Sequence, residues 1–159
     1  MALIGDNSLE EKVKAKMIYD AQKQKKSDAK KAAAEKSEKM IKKAQWKEAK
    51  GIYENKRDEA VKKVADRMMA TWEAWNIEKR GLTQNKETPE NIEKARTARY
   101  DAEEKDITNI LRSYDQDITT YIEKAKELKP SLAKNLTHDN QHQLIKTMAG
   151  DDFAKRVET

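Results

Sequence analysis

Between Ser8 and Arg80 the chain contains no proline and a single glycine, Gly51. Proline deletes a ladder hydrogen bond and clashes with the preceding turn, and glycine costs backbone entropy. A stretch of this length without them is free to run as helix. The residues that dominate it are Ala, Lys, Glu, Gln and Arg, which lose little rotamer freedom in a helix. Ser8 with Glu11 three residues on has the spacing of a capping box and predicts where the helix begins. If continuous, about 72 residues would extend roughly 108 Å. Across all 159 residues there are 2 prolines and 4 glycines, with 40% charged and 36% hydrophobic side chains. A self-sufficient globule would have a thin core on that composition, and a disordered tail would carry more proline and glycine. The expected fold class is therefore all-α: an elongated helical hairpin of coiled-coil type, with two long helices and short C-terminal helices.

The organisation expected along the chain follows the breakers. Residues 1–80 form the long N-terminal helix, and 81–88 form a loop in which Gly81 takes the left-handed conformation that ends a helix. Thr88 then caps a second long amphipathic helix over 89–129, with Pro89 at its first position and Glu90 at the positive end of the dipole. Lys129-Pro130 stops it. Residues 130–159 are expected to be a short helical or partly disordered tail, with a helix from Asp139 to Ala149 stopped by Gly150.

Two apolar seams are visible. Val61, Ala65, Met68, Trp72 and Trp75 follow 4-3-4-3 steps late in the first helix. Ile107, Leu111, Tyr114, Ile118, Tyr121, Ala125 and Leu128 keep that alternation through the second, with Tyr100 in the same phase and Ile110 and Ile122 widening the stripe. A short connection favours antiparallel neighbours, so the two seams are expected to face each other in a hairpin turned at the loop, with a seam against another subunit as the alternative. The first half of the long helix is looser: Leu9, Val13, Met17 and Ala21 share a face, Ala29 and Ala32 to Ala34 offer only small side chains, and Met40, Ile41, Ala44, Ile52 and Tyr53 resume out of register.

Charge is concentrated. Lys and Arg outnumber Asp and Glu by 11 to 4 between Ala21 and Lys50, giving +7 there against about −2 for the remainder. An anionic partner would dock on this segment, at Lys23, Lys25, Lys26, Lys30, Lys31, Lys42, Lys43 and Lys47. An all-Lys segment suits attraction to a phosphate backbone without base reading. The blander reading is a solvated face that keeps the helix soluble. Trp72 and Trp75 read as interface anchors, while Trp46, inside the basic segment, reads either as an anchor or as a stacking platform.

No catalytic, cofactor-binding or metal-binding residue is expected. There is no cysteine, hence neither a disulfide framework nor a thiolate metal site. No Gly-rich phosphate loop or nucleophile elbow occurs. His138-Asp139-Asn140-Gln141-His142 has the outline of a zincin helix, but Asp replaces the general-base Glu and no third ligand is at hand. Two exposed helix histidines are expected instead. Carboxylates such as Glu103, Glu104, Asp106, Asp115 and Asp117 alternate with Lys or Arg and read as a solvated face. No stretch approaches the roughly 20 apolar residues that span a bilayer.

The run Ala15-Lys16-Met17-Ile18-Tyr19-Asp20-Ala21-Gln22-Lys23-Gln24, the break at Glu78-Lys79-Arg80-Gly81-Leu82-Thr83, and the stretches Ala98-Arg99-Tyr100-Asp101 and Asp106-Ile107-Thr108-Asn109-Ile110 together resemble one family. It is the smallest internal core, or ejection, protein of T7-like short-tailed bacteriophages. The resemblance spans about residues 15 to 128 and is one of pattern. It implies a structural virion protein without catalytic residues or cofactors, made in the host cytoplasm and stored in the capsid interior. Its expected partners are itself, as a ring-like homo-oligomer, and other core or portal proteins. DNA contact would be non-specific, no small-molecule substrate is implied, and contact with the host envelope would come only after ejection. Family members carry an apolar N-terminus, and here only Met1 to Ile4 qualifies. Two other classes share the pattern: a helical-hairpin stalk or chaperone-like factor of a secretion or rotary ATPase, and a non-specific nucleic-acid-binding coiled coil.

Overall fold

A computed structural model describes the backbone of residues 2–158 and the side chains of residues 9–158. The fold is all-α, with no strand among the described residues. Its helices are α1 (Ala2–Gln84), α2 (Pro89–Arg112), α3 (Asp115–Leu128), α4 (Pro130–Ala133) and α5 (His138–Glu158). The chain divides into two units, one up to Gln45 and one from Trp46 to Thr159. The first unit is helix throughout its described length, and from Leu9 to Gln45 every side chain is exposed. The backbone is already helical well before Ser8, so Ser8 is not the N-cap; its side chain lies outside the described residues, as do those of Met1 to Ile4.

The turn between α1 and α2 departs from expectation in an instructive way. Gly81 does not end the helix; α1 continues through it to Gln84. No glycine takes positive φ, and the left-handed residue is Lys86, at φ 55°. Around it the Glu87 N–H donates to the Leu82 carbonyl (3.0 Å) and the Lys86 N–H to the Thr83 carbonyl (3.1 Å). These are the paired bonds of a Schellman motif, with Lys86 where glycine is usually found. On the far side Thr88 is extended (φ −68°, ψ 148°), and its Oγ1 accepts the Asn91 N–H at 3.2 Å. Pro89 occupies the first turn, where a missing N–H is harmless.

The expected second helix over 89–129 is two helices. At the join the Ser113 Oγ donates to the Ile110 carbonyl (2.5 Å), and the Tyr114 N–H bonds the Leu111 carbonyl at 3.1 Å, three residues back. Tyr114 sits in the bridge region (φ −100°, ψ 2°). A serine that bonds the backbone competes with the helical ladder, which is the physical reason for a joint here. After Lys129 the chain makes one turn as α4, and then α5 begins, its first turn capped by Thr137 Oγ1 accepting from the Asn140 N–H at 3.0 Å.

The expected helical hairpin is present, and helix α5 adds to it. The tail is neither short nor frayed, and Gly150 does not stop it: α5 spans 21 residues to Glu158 and lies along both arms of the second unit. The Tyr53 hydroxyl donates to Gln141 Oε1 (2.6 Å) and Arg156 Nη1 to Asp66 Oδ1 (2.6 Å), so α5 runs parallel to this part of α1. Thr119 shares a hydrogen bond with His138 (2.9 Å) and Asp115 one with His142 (2.7 Å), so it runs antiparallel to α3. The second unit is thus a three-layered helical bundle of α1 from Trp46, the α2–α3 arm, and α5. Its core has two clusters. One gathers Ala60, Val64 and Ala65 with Ile107, Leu111, Tyr114, Ile145 and Ala149; the other gathers Tyr53 with Ile118, Tyr121 and Ile122. Ile118, Ile145 and Val64 are fully buried, each contributing about 1.5–3 kcal/mol.

Candidate functional site

Of the seam residues named from spacing on α2 and α3, Ile107, Leu111, Tyr114, Ile118, Tyr121 and Ala125 are buried and Leu128 is half-buried. The α1 side is rotated. Ala65 and Trp75 are buried, but Val61, Met68 and Trp72 are only half-buried. The deepest line runs Tyr53, Ala60, Val64, Thr71, Trp75. Ala60 and Thr71 are small or polar, so a count of large apolar side chains slides one position along and settles on the flank. The signal that would have found them is position: Tyr53, Ala60, Val64, Thr71 and Trp75 follow 7-4-7-4 steps, the repeat of one face of a straight helix.

Between the seams several polar groups are paired, while the Tyr114 hydroxyl is buried without a hydrogen-bond partner among the described residues. Arg67 Nε donates to Asp106 Oδ2 (2.7 Å) and its Nη1 to the Thr71 hydroxyl (2.6 Å), tying α1 to α2 around a buried threonine. Burial raises the Glu103 carboxyl above its ordinary range, against the pull of Thr71 and Arg67. Arg99 and Glu78 form a second ion pair nearer the turn. At the other end, Trp46 stacks on Tyr121 (centroids 5.4 Å) and Tyr53 stacks on Tyr121 at 4.1 Å, its ring nearly parallel. Burial pushes the Tyr53 phenol up to about 12, and burial also raises Tyr121. Tyr53 and Gln141 are therefore a neutral hydrogen-bonded pair inside the bundle. Spacing places Tyr53 only in an out-of-register apolar run and does not single out Gln141, because their link depends on α5 returning beside α1.

The histidines do not converge. His138 faces Thr119 and His142 donates Nε2–H to Asp115, both half-buried against α3 rather than exposed. Among the described residues no group of three His, Asp or Glu side chains is placed to hold a metal. Two open depressions lie on the outer face of α2, one beside Pro89, Glu93 and Asp101 and the other beside Lys105 and Arg112. Neither encloses a substrate-sized volume against water.

The basic residues singled out from the sequence are surface groups. Lys23, Lys25, Lys26, Lys30, Lys31, Lys42 and Lys43 belong to the first unit and Lys47 to the second, and all are exposed. Among the described residues only Lys42 of these has a carboxylate partner, Glu38 at 3.4 Å. The same first unit exposes Leu9, Val13, Met17, Ile18, Tyr19, Met40 and Ile41, each more than half accessible. No helix of the described residues is long and apolar enough to cross a membrane.

The fold and its surfaces define an all-α protein that presents an exposed basic helix and a self-packed bundle. No family model, curated protein or solved structure matches the chain.

Proposed function

We propose that this chain is a non-enzymatic structural assembly protein that joins its partners through helix–helix contact by the first part of α1. The observation that carries this reading is the exposure of seven large apolar side chains between Leu9 and Ile41 on a helix that otherwise carries charge. Such side chains are left in water at a cost of about 25 cal/mol per Å² of apolar surface, and a partner that covers them recovers it. The second unit, by contrast, buries its seams internally and serves as a rigid base.

The setting proposed is the one implied by the resemblance to internal core proteins of short-tailed phages: a homo-oligomer in the capsid interior, with other core or portal proteins, that aids delivery of DNA. The export-stalk alternative is less well supported, because a two-helix stalk leaves no role for an α5 that packs along both arms. Light scattering coupled to size exclusion on the full chain, together with mass spectrometry of purified particles, tests the proposal. The expected result is an assembly larger than a dimer and the chain among the particle proteins. A monomer at tens of micromolar that is absent from particles would overturn it.

A further inference from the structure

The lysines of the first unit are distributed in rows around the helix. At 3.6 residues per turn, Lys23, Lys26 and Lys30 fall within about 60° of one another. Lys25, Lys36 and Lys43 form a tighter second row, about 120° around the axis from the first. Lys31 and Lys42 lie about 120° further on, but Asp28, Glu35 and Glu38 fall on that same side and Glu38 pairs with Lys42 at 3.4 Å, so it carries little free charge. Every one of these side chains is exposed, and nine lysines between Ala21 and Gln45 face only Asp28, Glu35 and Glu38. No single flat surface can contact both of the first two rows, which point about 120° apart.

The chemistry narrows the occupant. A helix that lies on a lipid surface sinks a face of large apolar side chains beneath its lysines. From Gln22 to Lys39 the largest apolar side chain is alanine, so this stretch has nothing to insert. Arginine is absent from the segment, which removes the bidentate fork used to read guanine. Trp46, the nearest tryptophan, is already stacked on Tyr121 in the second unit and belongs to that packing. What remains is a slender rod of point charges, suited to densely spaced phosphates. Duplex DNA carries one charge per about 1.7 Å of axis, and the rise from Lys23 to Lys43 is about 30 Å, close to one duplex turn.

We infer that residues 23–43 form a bridge between neighbouring DNA duplexes, the first two lysine rows each neutralising the phosphate backbone of a different duplex. The helix lies between duplexes rather than on one of them, and it draws them together without regard to sequence. This inference stands on the chain's own lysines and does not require the virion setting.

The test uses the full chain with two populations of 40-base-pair duplex carrying donor and acceptor fluorophores. Energy transfer between duplexes is expected at 50 mM salt, and three lysines per duplex imply roughly 40-fold weaker binding to each duplex by 200 mM. Changing one row to glutamine (Lys23→Gln, Lys26→Gln, Lys30→Gln) should keep helicity by circular dichroism and keep single-duplex binding. It should lower the slope of log affinity against log salt by about 2–3 and reduce energy transfer several-fold. The second row (Lys25→Gln, Lys36→Gln, Lys43→Gln) should behave alike. No binding at 50 mM salt, binding without energy transfer, one row accounting for all binding, or capture by phosphatidylserine vesicles that duplex does not compete would each overturn the inference. Energy transfer that survives both row variants yet disappears when an oligomer is dissociated would also overturn it, while leaving the assembly proposal standing. Absence of the chain from particles would refute the virion setting and leave the bridging result untouched.

Discussion

Ile145→Ala tests whether α5 is a true third layer. Ile145 is 1% exposed and packs with Val64, Ile107, Leu111 and Ala149. The substitution removes three carbons, about 2.4 kcal/mol of transfer free energy at 0.8 per methylene. The cavity left between three helices adds about 1 kcal/mol more, and the better helix propensity of alanine returns about 0.4. The net loss is about 3 kcal/mol, or a Tm lower by roughly 10–20 °C for a unit of this size. All three tryptophans lie in the second unit, so intrinsic fluorescence during urea or thermal unfolding reports on it directly. Leu144→Ala is the internal control, since Leu144 is 40% exposed on the same helix and should shift stability by less than about 1 kcal/mol. If Ile145→Ala and Leu144→Ala prove equally mild, α5 does not pack as described and the bundle reduces to a hairpin.

Three further outcomes follow from the geometry. Moving a glycine to where the backbone needs it, by Gly81→Ala with Lys86→Gly, should stabilise the second unit by about 1–2 kcal/mol. Gly81 is helical with open space for a Cβ, whereas Lys86 holds φ 55°; a less stable double variant would contradict the Schellman assignment. Because burial holds the Tyr53 proton up to about pH 12 while an unfolded tyrosine loses it near 10, the stability this phenol contributes is complete below pH 10. It is lost as pH rises from 10 to 12, and the decline of the urea midpoint over that window should be shallower in Tyr53→Phe; equal declines would refute the assignment. Ile118→Asp places an unpaired carboxylate at a fully buried position and should unfold the second unit at 37 °C, read as loss of the fluorescence transition; a cooperative transition near that of the parent chain would place Ile118 outside the core.

The two halves of the core differ in how well spacing exposes them. On α2 and α3 each buried position from Ile107 to Ala125 is a large apolar residue or an alanine flanked by charge, so the stripe can be counted directly. The cap at Thr88-Pro89 is equally local, because threonine, proline and the dipole act within one turn. On α1 the buried line passes through Ala60 and Thr71. Thr71 is there because Arg67 supplies its hydroxyl with a hydrogen bond, a condition that needs Asp106 on another helix to hold the guanidinium. The basic segment is legible as composition, but the exposure of its side chains is not, since exposure depends on what else packs nearby.

Helix itself is a local matter here: a long run of strong helix formers with few breakers admits little else, whatever surrounds it. Charge placement and the amphipathic stripe of the α2–α3 arm follow from order along the chain alone. The third layer is a different kind of fact. With one large apolar residue every few positions and polar residues between, α5 carries too weak a stripe to announce its own partner. It is held by groups 88 and 90 residues away, through Tyr53–Gln141 and Asp66–Arg156. The left-handed Lys86 is set in the same non-local way. Packing of the α1 and α2 faces sets the length of the turn, and the residue at that point accepts a conformation its side chain disfavours by about 1–2 kcal/mol because the seams on either side outweigh it.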